Sequence, residues 1–256
     1  MKIARFSVAG GDPRYGILDG DDYVVLAGDP MFSGYETTGE RVPAAQAKLL
    51  APVIPRSKVV CVGLNFRAHQ ADMEIAGPAS PLLFLKPNTA VVGPGDPIQL
   101  PPGIGKVVHE GELAVVIGSV AKRVRAVDAD GVIFGYTIAN DVSARDQMKL
   151  DGQWARAKGY DSFCPIGPVI ETELDPANLE IQTFVDGEPR RHGNTRDMIH
   201  SIGEVIEYAS DAFTLLPGDL ILMGTPAGKG GFTDGQTVDI TIEGIGTLSN
   251  PARTRV

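Results

Sequence analysis

The sequence predicts a β-rich α+β fold, in which a small N-terminal α/β module precedes a larger body. With 31 glycines and 19 prolines in 256 residues, the chain favours short strands joined by tight turns over a helical bundle. Its apolar runs are mostly short and are bounded by Gly, Pro or Asp, which is the pattern of strands. A single segment, around residue 205, has the spacing of a long amphipathic helix.

The N-terminal module is predicted over residues 1–52. Its elements are strands over residues 2–8 and 23–26, a turn-rich stretch over 16–22 and a short helix over 44–50. Pro52 and Pro55 then interrupt the chain, and a new buried-strand pattern starts at Val59. Because prolines of this kind mark connections, we place the domain boundary near residue 53 and assign residues 53–256 to the main body.

The main body combines many strands with the one long helix. Strands are predicted over residues 59–62, 82–85, 113–117, 134–139, 168–171, 181–185, 220–223 and 238–242. Hairpin turns are expected at 186–187 and 243–244, because glycine supplies the positive φ that such turns need. The helix is expected to follow a cap at Asn194 or Thr195 and to end near Phe213. Its expected buried face comprises Met198, Ile199, Ile202, Val205, Ile206 and Ala209.

Composition and charge exclude several classes of function. The net charge of −9 repels phosphate backbones and anionic lipid headgroups, so neither nucleic acid nor a membrane surface is an expected partner. No segment approaches the roughly 18 to 20 apolar residues of a membrane span, and the N-terminus lacks the apolar stretch of a signal peptide. Cys61 and Cys164 lie in apolar runs, which is typical of two buried, reduced thiols in a cytoplasmic protein. The sequence leaves a disulfide between them as an alternative.

The first candidate site residues are Glu110 and Glu112, in the segment HEGEL. Side chains two apart on a strand point to the same face, so the two carboxylates are expected to share one patch. Leu113, Val115 and Ile117 would then line the other side. Like charges this close repel unless a cation neutralises them, and a hard divalent ion prefers oxygen ligands. A solvated strand end is the alternative that this spacing leaves open.

Asp141 is the third candidate ligand. It follows the apolar run at 134–139, where a strand gives way to a turn, and such positions often carry functional residues. Three carboxylates without Cys or His ligands suit Mg²⁺ or Mn²⁺ better than Zn²⁺, with Ca²⁺ as a further occupant in crystals. A helix N-cap for residues 143–149 is the alternative role of Asp141.

A general base is predicted at His69, which follows a buried-strand pattern. Asp72 comes three residues later, so the two side chains would meet on a helical turn, and a carboxylate that orients an imidazole is how a base is built. A structural histidine is the alternative. Lys86 and Lys158 lie in apolar surroundings, where a lysine either snorkels to water or serves as the counter-charge of an anionic substrate.

The glycine-rich loop that starts at Gly224 does not match a nucleotide-binding P-loop. A Walker motif needs four residues between its glycines and Ser or Thr after the lysine, whereas three residues separate Gly224 from Gly228, and Gly230 follows Lys229. The loop can still bind an anion through its backbone amides and the Thr225 hydroxyl. No C-x-x-C pair, G-x-S-x-G elbow or H-E-x-x-H helix occurs, so thiol redox, serine hydrolase and zinc protease chemistry lack their residues.

Together these segments resemble the fumarylacetoacetate hydrolase family over nearly all of residues 57–256. The matching segments, in the family's order, are GLNFRAH at 63–69, FLKP at 84–87, HEGEL at 109–113, NDVSARD at 140–146, KGYDSFCP at 158–165, GNTRDMI at 193–199 and MGTPAG at 223–228. The resemblance implies the family's mixed β-roll as the fold. It also implies that Glu110, Glu112 and Asp141 are the metal ligands.

The resemblance further implies catalytic and substrate-binding roles. His69 is the expected base, partnered by Asp72 or Glu74, and Lys158 is a further expected catalytic residue. The residues expected to bind the substrate are Lys86, Arg145, Gln147 and Thr225. The first 52 residues resemble the short N-terminal domain of the family's bacterial members, and a homodimer is expected from the resemblance alone.

The implied substrate is a small 2-oxo acid held by Mg²⁺ or Mn²⁺, and the implied chemistry passes through a metal-stabilised enolate. The first expectation is a 2-hydroxyhepta-2,4-diene-1,7-dioate isomerase or decarboxylase-like enzyme of a catabolic pathway. The alternatives are carbon–carbon hydrolysis of an acylpyruvate or fumarylacetoacetate, and decarboxylation of oxaloacetate. A non-catalytic metal-binding scaffold is the rival from another class. A nucleotide-binding module at the Gly224 loop is a further rival. The mismatch of this loop with the Walker motif argues against it.

Overall fold

The computed structural model describes residues 1–73, 77–228 and 230–255, without the side chains of His69, Asp72 and Met73. The strands are β1 (Lys2–Val8), β2 (Arg14–Asp19), β3 (Asp22–Leu26), β4 (Thr37–Pro43), β5 (Ala47–Leu49), β6 (Val59–Gly63), β7 (Leu82–Lys86), β8 (Val91–Val92), β9 (Ile98–Leu100), β10 (Val107–Val108), β11 (Gly111–Ile117), β12 (Ile133–Asn140), β13 (Ser143–Ala144), β14 (Cys164–Glu171), β15 (Glu180–Val185), β16 (Glu188–Asn194), β17 (Leu220–Leu222), β18 (Thr237–Ile242) and β19 (Gly246–Thr254). The α-helices are α1 (Pro30–Ser33), α2 (Arg67–Met73), α3 (Arg145–Asp151), α4 (Ala155–Lys158) and α5 (Ile202–Ala212). Short 3₁₀ segments occupy Ala44–Gln46, Asn88–Ala90, Ala126–Val132, Pro176–Asn178 and Thr195–Asp197.

Most described strands belong to one mixed sheet of 12 strands, in the order β4-β3-β2-β1-β14-β12-β11-β17-β6-β7, with β5 beside β1 and β8 beside β14. β17 runs parallel to β6, whereas β11 is antiparallel to both β12 and β17. A second sheet of five strands has the order β16-β15-β18-β19-β9, and β10 pairs with β13. The predicted β-rich α+β fold with mixed sheets is confirmed, and the strands predicted in the main body are all present.

The core lies on both faces of the large sheet. Every residue of β11 is buried. Leu113 and Val115 belong to the apolar cluster that includes Ile240 of the second sheet, whereas Ala114 and Val116 belong to a separate cluster. A strand that is buried on both faces is held rigidly in the interior. β11 therefore gives a fixed base to the residues at its start.

The N-terminal 52 residues contain five strands and the four-residue helix α1. The predicted strands are present as β1 and β3, but the stretch 16–22 runs through β2 before it turns. The helix expected over 44–50 is wrong, because only a 3₁₀ turn forms there before β5. Leu49 of β5 lies opposite Phe6 of β1, so pairing with the sheet outweighs the helical propensity of the alanines. β1 also pairs with β14, and the domain boundary near residue 53 stays a prediction.

The long helix starts later than the sequence predicted. Asn194 caps only a 3₁₀ turn, and α5 begins after a capping box between Ser201 and Glu204. Met198 instead has extended backbone and forms an isolated bridge with Phe66, which ends the helical path before α5. The buried residues of α5 are Val205, Ile206, Ala209 and Ser210.

The two cysteines are buried free thiols, so the disulfide that the sequence left open does not form. Burial raises the pKa of Cys61 well above its ordinary value and that of Cys164 to about 12. Neither thiol is therefore a nucleophile at neutral pH. None of the helices in the described part of the chain is long and apolar enough to cross a bilayer.

Candidate metal centre and its cavity

The start of β11 and the end of β12 bring two acidic residues together. Gly111 lies opposite Asn140 in the antiparallel ladder, and the Asp141 amide donates to the Glu110 carbonyl at 2.8 Å. The Glu110 amide in turn donates to Oδ1 of Asn140 at 3.0 Å. Glu110 and Asp141 are therefore backbone neighbours across two adjacent strands.

Glu112 completes a cluster of three carboxylates. Strand alternation turns it to the same face as Glu110, and oxygens of Glu110, Glu112 and Asp141 all lie within 4.8 Å of one another. All three side chains are buried, so a solvated strand end does not describe them. Asp141 does not cap a helix either, because α3 has Ala144 as its N-cap, with no side-chain capping bond.

Three basic residues contact this cluster. Nζ of Lys158 donates to Oε2 of Glu110 at 2.9 Å and also to Oδ2 of Asp141. Nζ of Lys86 lies 2.6 Å from Oδ1 of Asp141, and Nη2 of Arg145 lies 2.7 Å from Oε1 of Glu110. Both lysines are buried, so these ion pairs are shielded from water and from salt.

The carboxylates differ in their electrostatic surroundings. Burial alone would raise the pKa of Glu110, but Lys158 and Arg145 outweigh burial and lower that pKa. Burial and the two neighbouring carboxylates raise the pKa of Glu112 well above its ordinary value. A further positive charge beside Glu112 would relieve this repulsion. Three buried oxygen donors without nitrogen or sulfur ligands therefore fit a hard divalent cation.

The loop after β17 supports the cluster through its backbone. The Gly224 amide donates to Oε2 of Glu112 at 2.7 Å. A Cβ at Gly224 would lie 2.9 Å from Cβ of Asn65, and the φ of +90° also favours glycine. Nδ2 of Asn65 donates to the Met223 carbonyl at 2.9 Å, and its Oδ1 accepts from the His200 amide at 2.8 Å. Asn65 thus ties the loop to two other segments.

A cavity of about 600 Å³ opens beside the carboxylates. Its apolar lining comprises Val62, Leu64, Phe84, Val108, Met148 and Trp154, and its basic lining comprises Lys106, Arg145, Lys149, Lys158 and Arg191. The Thr225 hydroxyl also lines it, is buried, and has no hydrogen-bond partner among the described residues. Because a buried hydroxyl without a partner is costly, Thr225 is suited to contact a bound molecule.

Two of the four predicted substrate-binding residues line the cavity. Those that line the cavity are Arg145 and Thr225, together with Lys158. Lys86 is only 1% exposed, does not line the cavity among the described residues, and also donates to the Val142 carbonyl at 3.2 Å. Lys86 thus forms an ion pair with Asp141, and its contact with a substrate stays a prediction. Gln147 is on α3 and, among the described residues, does not line the cavity either.

The predicted base lies on a helix that begins three residues after Leu64. His69 and Asp72 are both on α2, three residues apart, so the predicted helical turn is present. Leu64, just before α2, lines the cavity. The side chains of His69 and Asp72, and all of Glu74, lie outside the described residues, so the pairing of the base stays a prediction.

Comparison with known proteins gives the family. Residues 58–253 match the family described as fumarylacetoacetate (FAA) hydrolase C-terminal, and residues 1–52 match the family described as Rv2993c-like, N-terminal. The chain belongs to the fumarylacetoacetate hydrolase family. The resemblance stated from the sequence motifs is confirmed, and so is the prediction of an enzyme of this family.

Two relatives and two solved structures show how similar this family member is to others. Protein Rv2993c of Mycobacterium tuberculosis is 56% identical over 227 residues, which cover 88% of this chain and 83% of that protein. The human mitochondrial oxaloacetate tautomerase FAHD2A is 41% identical over 221 residues, 82% of this chain and 70% of that protein. The structure of 2-hydroxyhepta-2,4-diene-1,7-dioate isomerase from Mycobacterium marinum has 49% identity and a TM-score of 0.92, and covers 100% of this chain and 99% of that one. Maleylpyruvate hydrolase from Sphingobium sp. SYK-6, in complex with manganese (II) ion and pyruvate, has 31% identity and a TM-score of 0.83, and covers 100% of both chains.

This fumarylacetoacetate hydrolase-family chain also has site residues that the sequence analysis missed. The Trp154 ring packs edge to face on Phe84, with ring centroids 5.2 Å apart, and Nζ of Lys158 lies 4.7 Å from the Phe84 ring centroid. Gly63 makes room for this pair, because a Cβ there would lie 2.8 Å from the Trp154 ring. A glycine at the end of a buried strand was the sequence signal for such a close approach.

His109 and Arg191 were missed as well. His109 is fully buried, and neither ring nitrogen has a hydrogen-bond partner among the described residues. Burial lowers the pKa of His109 to about 4, helped by the positive charge of Arg191, so the imidazole is neutral at pH 7. Arg191 lines the cavity from β16. No local pattern distinguishes Arg191 from its exposed neighbour Arg190.

Proposed function

We propose that the chain is a divalent-metal-dependent isomerase that moves a proton within a 2-oxo or enol carboxylate. The first candidate substrate is 2-hydroxyhepta-2,4-diene-1,7-dioate. The observation that carries this proposal is the cluster of Glu110, Glu112 and Asp141 beside the cavity. The isomerase from M. marinum, with its 49% identity, supports the substrate class. The manganese (II) ion and pyruvate in the hydrolase from Sphingobium support the metal.

Glu110, Glu112 and Asp141 would hold Mg²⁺ or Mn²⁺, and this cation would stabilise the negative charge on the 2-oxygen of the enolate that the proton transfer forms. Lys158 adds a positive charge beside these carboxylates. Burial alone would lower the pKa of Lys158, but Asp141 and Glu110 outweigh burial and raise it. The ammonium group therefore stays protonated and suits an anionic substrate oxygen.

Further residues serve the proposed proton transfer. The Thr225 hydroxyl donates to a substrate oxygen, which satisfies its buried group. Phe84 and Trp154 give the carbon chain of the substrate an apolar wall that excludes water. His69, oriented by Asp72 or Glu74, takes the proton from the 2-hydroxyl group of the enol and delivers it to a carbon of the diene.

Tautomerisation of oxaloacetate is the second candidate function. The oxaloacetate tautomerase with 41% identity supports it, and the chemistry is the same transfer of a proton between oxygen and carbon. The two candidates differ in the length of the substrate. Decarboxylation and carbon–carbon hydrolysis start from the same bound substrate class and are separate outcomes of the assay.

The test is a substrate panel with the purified protein and Mg²⁺. The panel holds 2-hydroxyhepta-2,4-diene-1,7-dioate, oxaloacetate and an acylpyruvate, and the change in enol absorbance is followed with and without a chelator. We expect the dienedioate to isomerise, and the chelator to slow the reaction at least about tenfold. NMR of the products distinguishes an isomer from a decarboxylated or cleaved acid. If all three compounds stay unchanged, the proposal is wrong.

A matched pair of variants separates catalysis from a metal-stabilised scaffold. Glu112→Ala removes a proposed ligand, and Glu188→Ala removes a carboxylate at an exposed position. Lost turnover with the fold retained in Glu112→Ala alone supports catalysis. If Glu112→Ala has a lower melting temperature in the presence of the metal ion but keeps its turnover, the scaffold is supported. We also propose a homodimer, which light scattering of the purified protein tests.

A further inference from the structure

Arg191 is a buried cation on a strand that is otherwise exposed or half-buried. It is 5% exposed, and it is the one buried residue of β16. Its side chain lines the cavity. A guanidinium group stays charged at any physiological pH. Arg191 therefore adds a positive charge to the cavity wall, and such a charge attracts anionic ligands.

The glycine-rich loop is shaped around this side chain. Nη1 of Arg191 donates to the Pro226 carbonyl at 2.6 Å, and Arg191 forms an antiparallel bridge with Gly228. A Cβ at Gly228 would lie 2.4 Å from Cγ of Arg191. The loop thus holds the guanidinium group in one place, and a planar fork that is held in place binds a carboxylate with defined geometry.

Arg191 lies near enough to the metal cluster to contact the same small molecule. Its charge is among those that lower the pKa of Glu110. The Gly224 amide contacts Glu112, and the Pro226 carbonyl, two residues further along the loop, contacts Arg191. Glu110, Glu112, Asp141 and Arg191 also line the same cavity. One bound molecule can therefore contact both the carboxylate cluster and Arg191.

The size and charge of the cavity agree with such a ligand. About 600 Å³ corresponds to the liquid volume of about twenty water molecules, which is more than a 2-oxo acid headgroup fills. Lys106 and Lys149 are exposed and line the same cavity. In a chain with a net charge of −9, basic residues at the mouth of a cavity attract anions locally.

We infer that Arg191 forms a second anion subsite, which binds the far carboxylate of a 2-oxo dicarboxylate and selects diacids over monoacids. The subsite rests on the proposed function, because that function puts the 2-oxo acid end at Glu110, Glu112 and Asp141. Arg191 is a specificity residue in this arrangement. It acts on the end of the substrate that does not react.

Two compounds of equal length test the subsite in the wild-type protein with Mg²⁺. 2-Oxoadipate and 2-oxohexanoate share six carbons and the 2-oxo acid end, and differ only in a carboxylate against a methyl group at the far end. Calorimetric titration measures their dissociation constants, and NMR measures the exchange of their C3 hydrogens for deuterium. We expect 2-oxoadipate to bind roughly 10- to 100-fold more tightly than 2-oxohexanoate.

Two matched variants assign that preference to one residue. Arg191→Gln removes the charge and keeps a side chain of similar reach, and Arg190→Gln does the same at the exposed neighbour on β16. We expect Arg191→Gln to lose the preference for 2-oxoadipate, while its affinity for 2-oxohexanoate changes by less than about threefold. Arg190→Gln should keep the wild-type ratio. If Arg191→Gln does not fold, the wild-type ratio still decides.

Each outcome separates the subsite from the proposed function. Equal wild-type affinities overturn the subsite, and so does a preference that Arg191→Gln leaves intact. Exchange of both compounds at equal rates overturns the subsite while the isomerase proposal stands. A binding preference without any exchange supports the subsite and contradicts the isomerase. Binding of neither compound contradicts both.

Discussion

Gly111 lies opposite Asn140 in the ladder between β11 and β12. This register makes Glu110 and Asp141 neighbours, and it turns Glu112 toward them. A slip by one residue would turn the apolar side chains of β11 from one core cluster to the other, which both clusters oppose. The core thus sets the geometry of the three carboxylates.

Substitution of Gly224 tests the loop that supports Glu112. Gly235→Ala is the control, because Gly235 has a similar φ of +87° and open space around it, whereas a Cβ at Gly224 meets Asn65. We expect Gly235→Ala to lower the free energy of unfolding by about 1–2 kcal/mol through backbone strain. Gly224→Ala should lower the free energy of unfolding by about 1–3 kcal/mol more, because the added methyl group clashes with the Asn65 side chain. Urea unfolding measures both, and equal losses would show that contact with Asn65 does not matter.

The buried Lys86 is predicted to stabilise the fold through Asp141. Lys86→Met keeps the apolar stem and removes the ammonium group, which leaves one oxygen of Asp141 without its ion pair. We expect a loss of about 3 kcal/mol in the free energy of unfolding. Lys48→Met is the control, because Lys48 is 67% exposed and pairs with Asp96 at 3.6 Å, so its loss should be about 0–1 kcal/mol. Similar values for the two variants in denaturant titrations would contradict this role of Lys86.

Stability is predicted to depend on pH through Asp219. This buried carboxylate accepts from the Ser57 hydroxyl at 2.7 Å, from Nζ of Lys58 at 2.6 Å and from the Leu216 amide at 2.9 Å. Burial alone would raise the pKa of Asp219, but these bonds outweigh burial and lower it. A carboxyl group whose pKa is lowered by folding stabilises the protein above its unfolded pKa of about 3.9. That contribution is lost as the pH falls through the folded-state pKa.

Asp219→Asn tests this dependence. We expect the variant to lose about 2–3 kcal/mol of unfolding free energy at pH 7, because hydrogen bonds to a charged group are lost. The difference from wild type should shrink as the pH falls below about 4, because Asp219 of the unfolded wild-type chain then takes up a proton while the folded carboxylate still stays charged, which favours unfolding. Urea unfolding at a series of pH values measures this difference. A difference that stays constant down to pH 3 would exclude Asp219 as the cause.

The features that depend on local pattern could be predicted from the sequence. The strands of the main body follow apolar runs between turn residues, and the Glu110 and Glu112 side chains share a face because strand alternation requires it. The motif order gave the family, which the match over residues 58–253 confirms. Asp141 could be added because it stands where an apolar run ends.

The features that depend on tertiary pairing could not be predicted in the same way. Residues 44–50 have helical propensity, yet β5 forms because its partner β1 is available. The helix was predicted to follow a cap at Asn194 or Thr195, because apolar spacing runs back to Met198, whereas α5 starts only after the Ser201 to Glu204 capping box. The ion pair between Lys86 at the end of β7 and Asp141 depends on packing across the sheet, which no local pattern of the sequence shows.

The most direct measurement on the metal centre is anomalous diffraction from crystals grown with Mn²⁺. We predict one strong peak between Glu110, Glu112 and Asp141, with an oxygen of each residue roughly 2.0–2.2 Å from the ion. Lys158 should then move from the position in which it bridges Glu110 and Asp141. A peak elsewhere on the chain, or none at saturating Mn²⁺, would contradict the proposed metal centre and the isomerase built on it.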